Sequence, residues 1–521
     1  MIMMELVLSA AGPAVAILSV LVSLALTIHF VKSIRDPRRP PVVGTILHFA
    51  VHFNRLYDYL TEVAEKKKHS TFRVVSPNHR ECYTVDPRNV EHFIKTKFDK
   101  YVISDFNKDM VSDLFGQGIF AVDGHRWRRQ RKLASFEFST RVLRDFSSGV
   151  FRKNTVRLVA ILSALSEKKT DFDVLDILKR FSLDSIFEIG FGVELNCLDG
   201  SNKQGIEFMK AFDEANALVF YRFVDPFWKI KKALNIGFEA TLKRHLGLIH
   251  DFARQVIATK RNLLQNQDIT LEKKQDILSR FLQVGSKQDI AEDMNDQHLR
   301  DIVLNFIIAG KDTTSNTLAW FIYMLCKNPL IQERLAQEVQ QNMLGGEESE
   351  SESETIHNYV NVCITDDALE KMQYLHAALT ETLRLYPAVP IDGRCATEDD
   401  VLPDGYKVER GDNLCYVAYA MGRMRYIWGD DAEEFRPERW IDNNGVFKPE
   451  SPFKFVAFHG GPRMCLGKDF AYRQMKIVSM AMLYFFRFKL ADETKRVTYR
   501  TMFTLHIDGG LHVTASPRRM K

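Results

Sequence analysis

The segment from Phe458 to Gly467, Phe-His-Gly-Gly-Pro-Arg-Met-Cys-Leu-Gly, restricts most strongly what this chain can fold into. A helix-like run from Leu466 to about Phe486 follows the sulfur of Cys465 at once. Amide donors, a nearby cation and the positive end of a helix all lower a cysteine pKa, so we expect a thiolate here. Gly461 and Gly467 would let backbone and a flat ligand approach where a Cβ would clash. The segment therefore predicts an anionic sulfur that faces a planar group.

Length and composition indicate a large globular protein. The chain has 521 residues, of which 45% are hydrophobic and 26% charged, and no boundary divides its main part into several domains. A net charge of +4 is too small to indicate nucleic-acid binding. The seven cysteines form no CxxC pair and their number is odd, which favours free thiols in a reducing compartment over a disulfide framework.

The N-terminus predicts a membrane anchor. No residue from Leu6 to Val31 carries a formal charge, and most are apolar. About 20 helical residues suffice to cross a bilayer, and a cleaved signal peptide would have a basic start and a shorter apolar region. Basic residues follow the segment, and Glu5 is the only charged residue before it. This charge difference places the C-terminal side of the segment in the cytosol. We therefore expect an anchor at 1–31, a basic, proline-rich hinge at 32–44 and a catalytic domain at 45–521.

Beyond the hinge, the pattern is mainly helical with short strands. Residues 72–75 and 82–85 are predicted strands, Asp86-Pro87 opens a helix, and 407–417 is predicted as a strand pair. Helical periodicity dominates from 141 to 344. The stretch 345–354 alternates Ser and Glu after two glycines, so we expect a solvated acidic loop. The predicted fold class is mainly α with small β-sheets.

The longest apolar helix is predicted from Gln297 to Lys327, before Asn328-Pro329. It is hydrophobic nearly all round, which is typical of a buried central helix. A second membrane span is excluded because Lys311 and Asp312 lie in its middle. The run Ala309-Gly310-Lys311-Asp312-Thr313-Thr314 is poor helix material, and threonines that bond back to the preceding turn would be enough to explain it.

Two further motifs carry little information when each is taken alone. Glu381 and Arg384 share a helix face, but Glu433 and Arg436 have the same spacing, and a solvated surface pair is the simple interpretation. Trp127-x-x-x-Arg131 lies in a basic run that indicates a charged helix face.

In order and type, these motifs resemble those of the cytochrome P-450 family. The Cys465 segment matches the family's haem-ligand loop FxxGxRxCxG, Glu381 to Arg384 matches ExxR, and Pro437-Glu438-Arg439-Trp440 follows at the expected distance. The hinge resembles that of membrane-anchored microsomal members. The resemblance implies a P-450 fold with haem b between the long central helix and the cysteine loop.

The resemblance also implies roles for individual residues. Haem contacts fall to Cys465 as the axial iron ligand and to Trp127, Arg131, Arg394, Arg463, Phe458 and Gly310. Thr313 would hydrogen-bond dioxygen, and Asp312 would belong to the proton relay, because O–O cleavage needs two protons in order. Glu381, Arg384 and Arg439 would form a buried structural network.

The implied activity is a haem monooxygenase that inserts one oxygen atom into a C–H bond of a lipophilic substrate. The chain has no flavin or glycine-rich dinucleotide motif, so electrons would come from a separate NADPH-dependent reductase on the endoplasmic reticulum membrane, for which the basic run around Trp127 would offer a docking face. Stretches such as Gly116-Gln117-Gly118-Ile119-Phe120 look like the plant group that hydroxylates fatty acids at the terminal carbon. By alignment, the pocket walls would be 115–120, 218–227, 388–391 and 502–505.

Three alternatives stay open at this level. A terpenoid or sterol would need the same apolar lining as an acyl chain. A haem-thiolate isomerase or dehydratase of hydroperoxides would be expected to lack the Asp312-Thr313 pair. A non-enzymatic haem binder would keep Cys465 without needing a long pocket helix.

Overall fold

The central helix organises the fold and is continuous from Asp296 to Lys327, as predicted. In the computed structural model, the described residues are 17–25, 27–28, 46–69, 71–75, 80–138, 141–266, 276–279, 296–342 and 352–518. Within the central helix, the turn Ile308–Asp312 is π-helical. The helix ends before Asn328, because the ring of Pro329 disfavours the α conformation at the residue before it.

Helices account for most of the described chain. Their bounds are Ile46–Val51, Leu56–Lys66, Pro87–Glu91, Asp105–Phe115, Gly124–Phe138, Arg141–Glu167, Val174–Phe191, Lys203–Tyr221, Trp228–Leu234, Gly237–Asn266, Asp296–Ile307, Thr313–Lys327, Pro329–Gln341, Glu352–Asn358, Asp366–Lys371, Gln373–Leu385, Ala418–Met421, Arg425–Trp428 and Lys468–Phe485. Short 3₁₀ or π turns lie at Phe53–Arg55, His92–Thr96, Phe98–Lys100, Ile308–Asp312, Tyr359–Cys363, Pro437–Trp440 and Gly461–Arg463.

The strands form small sheets at the edge of the helical body. Their bounds are Phe72–Val75, Arg80–Thr84, Tyr101–Val102, Phe172–Asp173, Asp392–Ala396, Asp400–Val401, Lys407–Val408, Asn413–Tyr416, Phe486–Leu490, Tyr499–Arg500, His506–Ile507 and His512–Pro517. The largest sheet has five strands, and its one parallel pair joins Arg80–Thr84 to Asn413–Tyr416 with Tyr83 opposite Cys415. The mainly helical class with small sheets is confirmed.

Three local predictions can be compared with these bounds. The strand at 72–75 is confirmed, and so is the helix after Asp86, whose carboxylate accepts a hydrogen bond from the Arg88 amide at 2.8 Å. Two strands are present within 407–417, as predicted, but they do not pair with each other: Lys407–Val408 pairs with Asp400–Val401, and Asn413–Tyr416 enters the five-stranded sheet. Strand partners are chosen by long-range packing, which local alternation does not report.

The predicted acidic loop is partly a helix. Residues 345–351 lie outside the described ranges, but the helix Glu352–Asn358 begins inside the predicted loop. Acidic residues are favourable at a helix N-terminus, where the macrodipole is positive, so an acidic run can start a helix as well as stay solvated.

The predicted anchor and hinge lie mostly outside the described ranges. Residues 17–25 of the anchor are helical, and the whole hinge at 32–44 is outside. In the part of the chain that the structure covers, no helix has both the length and the apolar character that a bilayer crossing requires. The anchor therefore stays a prediction. All seven cysteines are free thiols, as expected.

Candidate active site

The cysteine loop, Phe458 to Gly467, is a tight turn that leads into the helix Lys468–Phe485. The Cys465 amide donates to the Phe458 carbonyl at 2.8 Å, which closes the loop. Gly461 has φ +62°, and a Cβ there would lie 2.2 Å from the Ile94 carbonyl oxygen, so only glycine fits. The backbone thus places Cys465 three residues before a long helix, with its side chain accessible.

The surrounding protein acts on the pKa of the Cys465 thiol in opposing directions. Desolvation by the surrounding protein raises the pKa of the thiol, and the Gly467 amide, Arg131 and Lys468 offset this only in part. The pattern correctly indicated the donors and cations but could not weigh them against burial. A metal deprotonates a coordinating thiol outright, so the anionic form would depend on metal binding.

Gly467 lines a space that the polypeptide leaves free. A Cβ at this position would make only ordinary van der Waals contact, 3.9 Å from Cys465 Sγ and 4.0 Å from the ring of Phe138. The protein alone therefore does not require glycine there, whereas a planar group against the sulfur would. Phe138 also stacks on Phe306 of the central helix, with ring centroids 6.1 Å apart, so one side chain connects the cysteine loop to that helix.

The accessible residues of the central helix include those of its π-helical turn. Ala309 is exposed and Gly310 and Thr313 are partly exposed, although most of the neighbouring residues of this helix are buried. The Thr313 hydroxyl donates to the Ala309 carbonyl at 2.6 Å, which is the back-bond of the simple interpretation. Single π turns inside helices occur frequently at functional sites.

Gly310 has a packing role that the sequence reasoning missed. A Cβ there would lie 2.6 Å from Ile186 of the helix Val174–Phe191. The glycine therefore lets two helices approach, and among the small residues of the turn it is Ala309 that is the most accessible. An isolated glycine in a helical pattern was the available signal.

Asp312 points away from the accessible face and enters what we call the buried ion network, formed by Lys179, Asp213, Lys311, Asp312 and His506. Lys311 Nζ lies 2.5 Å from both Asp213 Oδ1 and Asp312 Oδ1, and the side chains of Lys311 and Asp312 are 0% exposed. Lys179 Nζ lies 2.7 Å from Asp213 Oδ2 and 2.9 Å from His506 Nε2. The network joins the π turn to helices Val174–Phe191 and Lys203–Tyr221 and to the strand His506–Ile507.

Opposite pKa shifts separate the two acids of this network. Although burial opposes it, the Lys311 and Lys179 ammonium groups hold the pKa of Asp213 below its usual range. Burial raises the pKa of Asp312, and the charge of Asp213 adds to this effect while Lys311 opposes it. Asp312 is therefore the acid of the pair that takes up a proton more readily. Sequence reasoning named Asp312 but missed the rest; the signal was Lys311, a charge inside an apolar helix.

Three predicted haem-contact arginines form a cationic cluster beside the cysteine loop. Arg131 Nη2 donates to the Met464 carbonyl, next to Cys465. Arg463 Nη2 donates to Asp123 Oδ1 at 2.7 Å, but its buried Nε has no partner among the described residues. Burial, and then the nearby Arg394, lowers the pKa of Arg463 to about 10. Such a cluster fits anionic carboxylates, which a guanidinium fork binds well.

Trp127 and Phe458 complete the predicted set. The Arg463 guanidinium lies 4.4 Å from the centroid of the buried Trp127 ring, so the two predicted residues are in contact. Phe458 packs on Tyr472 with ring centroids 5.2 Å apart. The sequence reasoning missed Asp392, which pairs with Arg394 at 3.2 Å and lies 3.5 Å from His459 Nδ1. His459, a titratable residue inside the cysteine loop, was the sequence signal for an acidic partner such as Asp392.

The predicted network of Glu381, Arg384 and Arg439 is present. Arg384 Nε and Nη2 lie 2.7 and 2.8 Å from the two Glu381 carboxylate oxygens, and both side chains are 0% exposed. Arg439 Nε lies 3.4 Å from Glu381 Oε1, and Trp440 Nε1 donates to Glu381 Oε2 at 2.9 Å. Arg384 also donates to three backbone carbonyls, those of Gly422, Ala432 and Glu434. One carboxylate thus ties the helix Gln373–Leu385 to the turn Pro437–Trp440.

Together, these residues fit a haem. The accessible sulfur of Cys465 can bind iron, and the space beside Gly467 can take a flat ring. The arginine cluster can bind propionates, and the accessible π turn can take dioxygen. The side chains of Thr313 and Cys465 are accessible. The Asp312 side chain is buried, and Asp312 is connected to the site through the adjacent Thr313.

Comparison with known proteins gives the family. The cytochrome P450 family model matches residues 34–513. Cytochrome P450 704C1 of Pinus taeda is 47% identical over 509 residues, covering 95% of this chain and 96% of its own length. Cytochrome P450 704B1 of Arabidopsis thaliana is 43% identical over 505 residues (92% and 95%), and cytochrome P450 86B1 of the same species is 39% identical over 485 residues (91% and 84%).

The chain belongs to the cytochrome P450 family. It is a haem-thiolate monooxygenase, and membership implies an electron-donating reductase, O₂ and a lipophilic substrate.

Proposed function

We propose that this protein hydroxylates a long-chain fatty acid at its terminal carbon, with Cys465 as the residue that would bind the haem iron. An aromatic wall carries the proposal. It is linked to the π turn through Asn216, whose Oδ1 accepts the Phe503 amide at 3.2 Å and whose Nδ2 donates to Asp312 at 3.4 Å. Phe115 contacts Phe120 and Phe503 with ring centroids 6.4 and 5.6 Å apart, and Phe503 contacts Phe220 at 5.2 Å. These rings come from three of the four segments predicted to line the pocket. Terminal C–H bonds are stronger than internal ones, so attack on a methyl end requires rigid walls that deny other carbons.

Haem, when bound, supplies the oxygen activation. The chain's own residues would bind the haem and deliver protons. Cys465 presents the sulfur three residues before its helix, and Arg131, Arg394 and Arg463, which lie beside the same loop, would hold the haem carboxylates. Thr313 offers a hydroxyl at the accessible face of the π turn. Asp312, whose pKa is raised by burial, would relay a proton after rotation out of the buried ion network.

The assay that tests this function uses the purified protein with a reductase, NADPH, O₂ and a panel of long-chain fatty acids, with the hydroxylated carbon mapped by mass spectrometry. A terminal alcohol supports the proposal. Turnover of terpenoids or sterols alone contradicts the substrate class. Conversion of a hydroperoxide without reductase would identify an isomerase or dehydratase, and haem binding without any turnover a non-enzymatic binder.

Replacing Thr313 with alanine is expected to uncouple NADPH use from product. Without the hydroxyl, protons arrive out of order, so product per NADPH falls by about tenfold or more while NADPH oxidation continues. Thr317→Ala is the matched control, because the Thr317 hydroxyl makes the same back-bond, to the Thr313 carbonyl at 2.7 Å, one turn later. Normal coupling in Thr313→Ala, or equal uncoupling in both variants, would count against the role of Thr313.

We also propose that residues 1–31 anchor the protein in the endoplasmic reticulum membrane, with hinge 32–44 and the catalytic domain 45–521 in the cytosol. The support is the uncharged run from Leu6 to Val31 and the basic residues after it. Removal of residues 1–44 is expected to release the protein from carbonate-washed microsomes. Retention of the shortened chain would refute the anchor, and protection of the full chain from added protease would refute the orientation.

A further inference from the structure

The loop Gly116–Phe120, which we call the clamped loop, is fastened to the central helix by two buried side chains. Asp301 Oδ2 accepts the Gln117 amide at 2.8 Å. Asn305 Nδ2 donates to the Phe115 carbonyl at 2.9 Å, and its Oδ1 accepts the Phe120 amide at 3.4 Å. Asp301 and Asn305 are 1% and 3% exposed and lie one turn apart on the same helix face. The loop backbone therefore bonds to side chains of another element instead of to water.

The two glycines of this loop are shaped to the clamp. A Cβ at Gly116 would lie 2.1 Å from the Asp301 carboxylate, and one at Gly118 would lie 2.0 Å from Asn305 Nδ2. Gly116 also has φ +54°, a conformation that side chains disfavour. Asp301 and Asn305 thus occupy the space that a side chain on the loop would need. Arg300 Nη2 donates to the other Asp301 oxygen at 2.6 Å, which balances the buried charge.

The clamped loop spans the candidate site. At one end, it contacts the central helix shortly before Ala309 and Thr313. Just beyond its other end, the Val122 carbonyl accepts a hydrogen bond from Arg463 Nη2 at 3.0 Å. Arg463 lies two residues before Cys465. The last residue of the loop, Phe120, keeps 50% of its surface exposed and touches the aromatic wall through Phe115. The clamp therefore fixes the backbone that carries a large, half-exposed ring at the aromatic wall.

We propose that Asp301 and Asn305 are positioning residues that set which carbon is hydroxylated. They act through the clamped loop, because the bonds to Gln117 and Phe120 fix the backbone on which the Phe120 ring stands. A shift of about 1 Å in such a wall changes which atoms can approach the reacting centre. The inference rests on the proposed function, since it concerns the choice among carbons of one chain.

Two variants remove one half of the clamp each, Asp301→Ala and Asn305→Ala. Hydrogen exchange of the Gln117 and Phe120 amides reports the clamp without any turnover, and we expect it to accelerate by about tenfold. With a long-chain fatty acid, we expect the ratio of terminal to internal alcohols to fall by about fivefold. Asp301→Asn keeps a carbonyl acceptor for the Gln117 amide but loses the acceptor of Arg300, so the product ratio should stay closer to that of the unaltered protein than in Asp301→Ala.

Gln332→Leu is the matched control for loss of a buried amide. Gln332 is also 1% exposed, and its bonds go to Phe488 and Leu325, far from the loop in sequence. It should lower stability and leave the product ratio unchanged. Unchanged amide exchange in both clamp variants would overturn the clamp. Faster exchange with an unchanged ratio of terminal to internal alcohols would overturn its role in selectivity. An equal change of that ratio in Gln332→Leu would do the same. If the unaltered protein makes no hydroxylated fatty acid, the proposed function fails and the regiochemical role with it, while the exchange rates still decide whether the loop is held.

Discussion

Cys465→Ala is expected to abolish the carbon monoxide difference band of the reduced protein and all monooxygenase turnover. The reason is that the predicted iron ligand is this one sulfur, and axial thiolate donation favours O–O cleavage, which alanine cannot provide. The helix Lys468–Phe485 and the loop bond to the Phe458 carbonyl use backbone groups, so the fold should survive the change. Difference spectroscopy and far-UV circular dichroism on the same sample make the measurement.

Cys363→Ala is the control for this experiment. Cys363 is also a free, partly accessible thiol, but it lies in the turn Tyr359–Cys363, away from the cysteine loop in sequence. Its variant should keep the full band. An unchanged band in Cys465→Ala would refute the ligand assignment, and with it the reason for the space beside Gly467.

Glu381→Gln is expected to destabilise the catalytic domain by about 3–5 kcal/mol. The substitution keeps the size of the side chain and removes its charge, which leaves Arg384 at 0% and Arg439 at 8% side-chain exposure without their shared carboxylate. Trp440 and the Arg436 amide, which donates at 3.0 Å, lose their charged acceptor as well. The midpoint and slope of denaturant unfolding measure the loss.

The second copy of the spacing supplies the control for this prediction. Glu433 is exposed, and Arg436 is 51% exposed and pairs with Asp431 instead, at 2.6 Å. Glu433→Gln should therefore have no measurable effect on the midpoint. Equal losses in Glu381→Gln and Glu433→Gln would mean that the buried network contributes nothing special.

The two ExxR copies show what a local pattern can and cannot decide. Spacing put Glu381 with Arg384 and Glu433 with Arg436 on equal terms, and only the proline-led segment around Arg439 favoured the first pair. The structure separates them by exposure: the Arg384 side chain is 0% exposed and that of Arg436 is 51% exposed. Burial arises from the packing of remote segments, which no four-residue window contains.

The π turn shows the same division. Its poor helix residues indicated a local irregularity, and the irregularity is present. Besides its neighbour Asp312, however, Lys311 pairs with Asp213, 98 positions earlier in the chain. The clamp was missed for the same reason, since Asp301 and Gln117 are separated by 184 positions. Pairs so far apart meet only after the helices have packed.

The sequence by itself determined the motif order, the helix boundaries around the site and the family expectation, because glycine, proline and apolar periodicity act through local backbone geometry. Tertiary structure alone decided the acidities and the partners. Desolvation raises the pKa of the Cys465 thiol and of Asp312, and side chains of the central helix hold the loop that carries Phe120. These outcomes depend on desolvation and on contacts between distant segments, which exist only in the folded chain.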